Sequence, residues 1–102
     1  MSELKRYQMY IDGEWTDAEN GATFTSVNPA TGETWAEVPE ASERDVNRAV
    51  EAAHRAFKDG PWSKLTPTAR GKMLRQLAEV LATHSETLGR CETIDTGKLF
   101  KE

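Results

Sequence analysis

Large apolar side chains are scarce in this chain, and this scarcity limits the folds it can adopt more than any other feature. Leucine, isoleucine, valine and phenylalanine together supply 17 of the 102 residues. A domain of this length buries only roughly 60–70% of the surface that its unfolded chain exposes. Because the formal net charge is only −4, the composition still predicts an ordered chain. We therefore expect at most one domain, whose core depends on additional protein surface.

The distribution of charged and apolar residues excludes several kinds of partner. Residues 1–40 carry eight acidic and two basic side chains, and the remaining 62 residues carry nine acidic and eleven basic ones. This pattern lacks the basic stripe that binds nucleic acid. The sequence also lacks the long apolar run of a membrane span and the apolar region of a signal peptide. We expect a cytoplasmic protein with no nucleic-acid or membrane partner.

The first forty residues have the turn signals of β structure. Asp12-Gly13 separates two short apolar segments, and this dipeptide accepts the positive φ angles of a type I′ hairpin turn. Residues 28–32, with the sequence Asn-Pro-Ala-Thr-Gly, separate a second pair of segments at 24–27 and 34–38. The pattern predicts two β-hairpins within residues 8–38.

After Pro39 the apolar residues recur with a helical period. Ser42 followed by Asp45 is a capping-box pattern for a helix start, and Gly60-Pro61 ends the repeat. We predict a helix at about 43–58. Its apolar stripe comprises Val46, Ala49, Val50, Ala53 and Phe57.

Two further helices are predicted at 67–82 and 85–96. Thr66 is the expected N-cap of the first, with Pro67 at its first position, and Gly97 is the expected C-terminal glycine of the second. The predicted fold class is therefore α/β, with two hairpins followed by three α-helices. Two small hairpins cannot cover the apolar stripes of three helices.

The residues that most often carry chemistry form no complete site in this sequence. Cys91 falls in the middle of the third helix, between apolar positions, which favours packing over nucleophilic catalysis. His54 and His84 lack the spacing of a metal-binding pair, and the seven glycines are too scattered for a phosphate loop. We predict no catalytic and no cofactor-binding residue, and the chain has the character of a scaffold.

Four segments, read in order, resemble the N-terminus of the aldehyde dehydrogenase superfamily. They are residues 10–15 (YIDGEW), 27–33 (VNPATGE), the helix at 45–57 and residues 95–98 (DTGK). The resemblance extends from Tyr7 to Lys98, and among members it is greatest to those that oxidise betaine aldehyde and similar small aldehydes.

The resemblance implies a function for the complete family protein that this chain alone does not have. Family members are several times longer and oxidise an aldehyde to a carboxylic acid with NAD or NADP. Their nucleophilic cysteine and their glutamate lie beyond residue 102 of this sequence, and Cys91 does not align with the nucleophile. The resemblance makes residues 1–102 the front of the cofactor-binding domain, a fragment without the catalytic domain. It is expected to be inactive alone and to bind the remainder of a homo-oligomeric dehydrogenase. The alternative is a stand-alone, non-catalytic interaction module derived from that N-terminus.

The resemblance also implies one ligand site within the chain. Related betaine aldehyde dehydrogenases hold a potassium ion at positions that correspond to Ser26, Val27 and Asp95, through main-chain oxygens and a carboxylate. Such oxygens suit a hard cation. Two other interpretations stay open: Asp95 caps or is solvated at a helix end, or Lys98 or Arg90 neutralises it directly.

Overall fold

Five short strands precede three α-helices in the computed structural model, which describes residues 4–101. The strands are β1 (Lys5–Arg6), β2 (Met9–Ile11), β3 (Glu14–Thr16), β4 (Thr23–Val27) and β5 (Thr34–Pro39). The helices are α1 (Glu43–Asp59), α2 (Pro67–Thr83) and α3 (Ser85–Thr96), with a short 3₁₀ helix at Pro61–Lys64 between α1 and α2. This order confirms the predicted fold class of hairpins followed by three helices.

The first hairpin joins β2 to β3 by the expected tight turn. Met9 lies opposite Thr16 and Ile11 opposite Glu14. The two turn residues, Asp12 and Gly13, have φ angles of 53° and 78°. Positive φ at both central positions is the geometry of a type I′ turn, which matches the right-handed twist of the strands.

The second hairpin supplies two strands of a three-stranded sheet in the order β1-β5-β4, with β5 in the centre. β1 pairs in parallel with β5 and was not predicted, because two charged residues give no alternating pattern. Between β4 and β5 the register is interrupted: Ser26 lies opposite Ala36, whereas Val27 lies opposite Thr34. Trp35 is therefore the extra residue of a β-bulge.

The start of α1 is held by the predicted capping box, and its carboxylate is buried. The Asp45 N–H donates to Ser42 Oγ at 3.1 Å, and the Ser42 N–H donates to Asp45 Oδ2 at 3.0 Å. Asp45 is 0% exposed and also accepts a hydrogen bond from the backbone N–H of Glu19 at 3.2 Å and from Arg48 Nη2 at 2.7 Å. This carboxylate therefore ties the loop before β4 to the start of α1.

The other two helices begin and end close to the predicted residues. The Ala69 N–H donates to Thr66 Oγ1 at 3.1 Å, which confirms Thr66 as the N-cap of α2. Gly97 ends α3 in the left-handed region, with a φ of 79°, and its N–H donates to the carbonyl oxygen of Thr93 at 2.9 Å. A Cβ atom on Gly97 would lie 3.1 Å from Cγ of Pro29, so the end of α3 contacts the turn of the second hairpin.

The structure has almost no core of its own. Among residues 4–101 the only buried apolar side chains are Ala18 and Ala36. Five large apolar residues of α2 are about half exposed: Met73, Leu74, Leu77, Val80 and Leu81. The molecule measures 48 × 37 × 17 Å, and its radius of gyration of 17.2 Å exceeds the roughly 13 Å expected for a globular domain of this length. The predicted shortage of core is thus visible as a flat, open shape.

Within the described residues, no helix combines the length and the apolar character that crossing a bilayer requires.

The first prediction concerns Gly97. We expect Gly97→Ala to lower the free energy of unfolding by about 1–2 kcal/mol, because an L side chain is strained at positive φ. The contact with Pro29 adds to this cost. The matched control is Gly71→Ala: Gly71 lies inside α2, where an added Cβ meets nothing closer than Arg75 Nη1 at 3.6 Å. This control should raise stability by about 0.5–1 kcal/mol. Urea unfolding measures the free energy of unfolding of both variants. Equal changes in the two would contradict the strained left-handed conformation assigned to Gly97.

The second prediction concerns Asp45 and acid. Hydrogen bonds from Ser42 and Arg48 hold the pKa of the Asp45 carboxyl far below its ordinary value. A depressed folded-state pKa contributes stability that is fully present above the unfolded-state pKa of about 3.9 and is lost as the pH falls further. We expect Asp45→Asn to be less stable than the wild type at pH 7 and to lose less stability between about pH 5 and pH 2. If the wild type and Asp45→Asn lost the same amount of stability over this pH range, that result would contradict the proposed role of the Asp45 carboxylate.

Candidate functional site

The residues predicted for the cation site lie where the end of α3 meets the bulged hairpin. The Ser26 hydroxyl donates to Asp95 Oδ1 at 2.5 Å. Trp35 Nε1 donates to the same oxygen at 3.3 Å. Because Trp35 is the extra residue of the bulge, its backbone departs from the regular ladder at the point where its indole contacts Asp95. Two of the three predicted site residues, Ser26 and Asp95, are therefore in direct contact.

Val27, the third predicted site residue, follows Ser26 at the register shift between β4 and β5. The extra residue of the bulge is Trp35 on β5, whereas Ser26 and Val27 keep Ala36 and Thr34 as their ladder partners. The predicted main-chain ligands thus lie at an irregularity of the sheet, beside a carboxylate.

Neither neighbouring base neutralises Asp95, and that interpretation of the sequence was wrong. Arg90 Nη2 lies 2.9 Å from Glu86 Oε1, and Lys98 Nζ lies 3.9 Å from Glu92 Oε1. No lysine or arginine of the described residues lies within 4.0 Å of the Asp95 carboxylate. Arg90 pairs with Glu86 because residues four apart lie on the same face of a helix, whereas Asp95 is five residues away.

Asp95 also does not cap its own helix, although it is exposed to solvent, as the other half of that interpretation expects. Its side-chain hydrogen bonds go to Ser26 and Trp35, both in the second hairpin. The carboxylate therefore serves as a bridge between α3 and the sheet.

An aromatic and a thiol side chain complete the surroundings of this contact. Tyr7 packs edge-on against Trp35, with ring centroids 6.1 Å apart and an interplanar angle of 76°. Burial raises the pKa of the Tyr7 phenol, and the neighbouring Cys91 thiol and the Asp95 carboxylate raise it further. Cys91 is half-buried beside Tyr7, an arrangement that suits a packing residue. The sequence analysis did not select Tyr7 or Trp35 for this site, since neither belongs to a polar motif.

The histidines take no part in a cluster. His54 lies exposed on α1, and His84 lies exposed at the junction of α2 and α3. Throughout residues 4–101 no group of three or more His, Cys, Asp or Glu side chains is arranged to hold a metal ion. A cation at this site would therefore have to rely on main-chain and hydroxyl oxygens in addition to Asp95.

The comparisons with known proteins all point to one family. Residues 15–102 match the model of the aldehyde dehydrogenase family. A dehydrogenase of Acinetobacter baylyi, described as (Z)-2-((N-methylformamido)methylene)-5-hydroxybutyrolactone dehydrogenase, is 48% identical over 99 residues, which are 97% of this chain and 20% of that protein. Aldehyde dehydrogenase 1 of Tanacetum cinerariifolium is 40% identical over 97% of this chain and 20% of its own length.

Solved structures agree with the sequence matches. An NAD-dependent aldehyde dehydrogenase from Sinorhizobium meliloti superimposes with a TM-score of 0.91 and 36% identity, over 96% of this chain and 20% of that one. A betaine aldehyde dehydrogenase from Staphylococcus aureus, in complex with NAD⁺, gives a TM-score of 0.87 and 42% identity over 92% of this chain and 19% of that one. The chain spans about a fifth of the length of the relatives that it matches.

Proposed function

This chain belongs to the aldehyde dehydrogenase family, and we propose on that basis that it forms the N-terminal part of an NAD(P)-dependent enzyme that oxidises an aldehyde to a carboxylic acid. The observation that carries the proposal is the match of nearly the whole chain to a fifth of dehydrogenases of known structure. When bound, the nicotinamide accepts hydride from the substrate. Of the two possible cofactors, NAD and NADP, the relatives named above favour NAD.

The role of this part is to build the front of the cofactor-binding domain, not to carry out chemistry. Cys91 lies on α3, half-buried beside Tyr7, and we assign it to packing and not to attack on the aldehyde. The apolar face of α2, with Leu74, Leu77 and Leu81 each at least half exposed, offers the surface for a partner. We propose that the remainder of the dehydrogenase covers this face, and that the complete protein is a cytoplasmic homo-oligomer.

The second candidate function is a stand-alone binding module without enzymatic activity. The same exposed face of α2 favours it, because an isolated chain would gain stability by burying that face on another protein. The two functions differ in whether the chain can replace its counterpart inside a dehydrogenase.

A chimera separates them. We predict that the A. baylyi dehydrogenase, with its matching N-terminal segment replaced by residues 4–101 of this chain, keeps NAD-dependent oxidation of its own substrate. The 102-residue chain alone should reduce no NAD with any aldehyde. Cys91→Ala in the chimera is the internal control and should leave the turnover number within about twofold, which is under 0.5 kcal/mol of barrier. A folded but inactive chimera would favour the binding module, and NAD reduction by the isolated chain would contradict both.

We further propose that a potassium ion binds at Ser26, Val27 and Asp95. Support comes from the contact of Ser26 with Asp95, the sheet irregularity at Val27 and the absence of a basic partner for Asp95 among the described residues. Asp95 lies near the C-terminal end of α3, where the helix dipole disfavours a carboxylate. A cation would relieve this repulsion, and a further ligand would come from the remainder of the dehydrogenase chain.

The potassium proposal predicts a specific salt effect in the chimera. Potassium should raise the melting temperature more than sodium or choline at equal ionic strength, because potassium is the ion that we propose binds here. Asp95→Asn should abolish the difference, whereas Glu92→Gln, an exposed acid on the same helix, should leave it intact. Equal melting temperatures in the three salts would leave the Ser26 and Trp35 hydrogen bonds as the whole role of Asp95.

A further inference from the structure

The asparagines of the sequence differ in the residue that follows them. Asn20, Asn28 and Asn47 are followed by glycine, proline and arginine, in that order. The backbone nitrogen of the following residue lies close to the carbonyl carbon of an asparagine side chain, so the two groups can react within the chain. Glycine has no Cβ to obstruct this approach, whereas proline has no N–H proton to lose. Asn20 therefore has a reactive neighbour that the other two asparagines lack.

The Asn20 side chain is positioned by a hydrogen bond in the loop between β3 and β4, where Asn20 and Gly21 are both exposed. The Ala22 N–H donates to Asn20 Oδ1 at 3.0 Å, which bends the side chain over the Gly21 peptide. When a nucleophile adds to Cγ, negative charge develops on Oδ1, and a backbone N–H that already contacts this oxygen stabilises that charge. The loop thus activates the side-chain carbonyl next to a backbone nitrogen that no side chain shields.

We propose that Asn20-Gly21 is a site of spontaneous covalent modification, at which Asn20 is converted into aspartate and isoaspartate. The Gly21 nitrogen loses its proton and bonds to Asn20 Cγ. The Cγ–Nδ2 bond breaks, and Nδ2 leaves with a proton as ammonia. The resulting succinimide takes up one water molecule. Aspartate forms when the bond from Gly21 N to Cγ breaks, and isoaspartate forms when the bond from Gly21 N to the Asn20 main-chain carbon breaks. Water is the only co-reactant, and the step does not depend on the proposed enzymatic role.

One hydrogen bond opposes the reaction and must open first. The Gly21 N–H donates to the Ala18 carbonyl oxygen at 2.9 Å, which holds the nitrogen away from attack. The loop is also anchored one residue before Asn20, where the Glu19 N–H donates to Asp45 Oδ2 at 3.2 Å. Local opening of an exposed loop requires much less free energy than global unfolding. We therefore expect conversion in the native protein, at a slower rate than in the unfolded chain.

The other two asparagines provide controls within the same chain. The Asn28 side chain makes the same kind of hydrogen bond, because its Oδ1 accepts from the Ala30 N–H at 2.9 Å, but Pro29 follows it. Asn47 is exposed like Asn20, but it lies within α1, where the backbone is held in the helix and a long side chain follows. Neither the hydrogen bond nor the exposure is therefore sufficient without the glycine.

Conversion alters the loop that Asp45 holds. Either product places a new carboxylate at position 20, directly after Glu19, whose N–H donates to the buried Asp45. Isoaspartate also adds one carbon atom to the main chain between Glu19 and the start of β4 at Thr23. The product therefore perturbs the link between this loop and the start of α1.

Mass spectrometry tests the proposal on the polypeptide that contains residues 1–102, purified at its natural length. The protein is incubated in native buffer at mildly alkaline pH, and a sample digested before incubation gives the background. Trypsin releases residues 7–44 as one peptide that carries both Asn20 and Asn28, and residues 45–48 carry Asn47. We expect an acid at position 20, present as both isomers, with Asn28 and Asn47 unchanged. A parallel incubation in urea should convert Asn20 faster, because the hydrogen bond to Ala18 is then open.

Asn20→Gln is the matched variant. It keeps a side-chain amide but lengthens the side chain, so attack by the Gly21 nitrogen would have to close a larger ring, and its amide should persist through the same incubation. An unchanged Asn20 in native buffer, conversion in urea only, equal conversion at Asn28 or Asn47, or aspartate without isoaspartate would each overturn the proposal. So would a loss of the amide in Asn20→Gln that is as fast as in the wild type.

Discussion

The buried carboxylate of Asp45 connects the strand-rich half of the chain to the helical half. Its oxygens accept hydrogen bonds from the loop before β4, through the Glu19 N–H, and from the start of α1, through Ser42. Arg48 compensates its charge at 2.7 Å. A buried, unpaired charge would be costly, whereas a carboxylate with this many donors fixes the geometry of the groups around it. In a molecule whose only buried apolar side chains, among residues 4–101, are two alanines, such polar contacts set the arrangement of the elements.

Asp95 plays the corresponding part at the other end of the chain. It joins α3 to the second hairpin through Ser26 and Trp35, while Gly97 brings the helix end against Pro29. An acid near the C-terminus of a helix contradicts the preference of the helix dipole, and such local conflicts concentrate at functional sites. The proposed cation site and the bridge to the sheet are two uses of the same carboxylate.

What the sequence predicts well in this protein is local. The capping residues Ser42 and Thr66, the turn at Asp12-Gly13 and the C-terminal glycine Gly97 each depend on neighbours within a few positions, and all four are confirmed. The contact of Ser26 with Asp95, 69 residues apart, was anticipated only through family resemblance.

Features that depend on distant parts of the chain were missed. β1 is a strand only because β5 lies beside it, and Trp35 enters the site only because the register shifts at Val27. The interpretation of Arg90 and Lys98 failed because other acids, Glu86 and Glu92, lie closer to them in space than Asp95 does. Hydrophobic periodicity carries no information about such competition between partners.

The thickness of the molecule, 17 Å, has a consequence for how such a protein is made. A helix with its side chains is already about 10–12 Å across, so there is no room for an interior between stacked layers. In relatives about five times as long, this segment leaves the ribosome first. At about 5–20 residues per second, it waits roughly 20–80 s for the rest of the chain. During that interval apolar side chains such as the leucines of α2 face water, and transient exposure of this kind promotes aggregation.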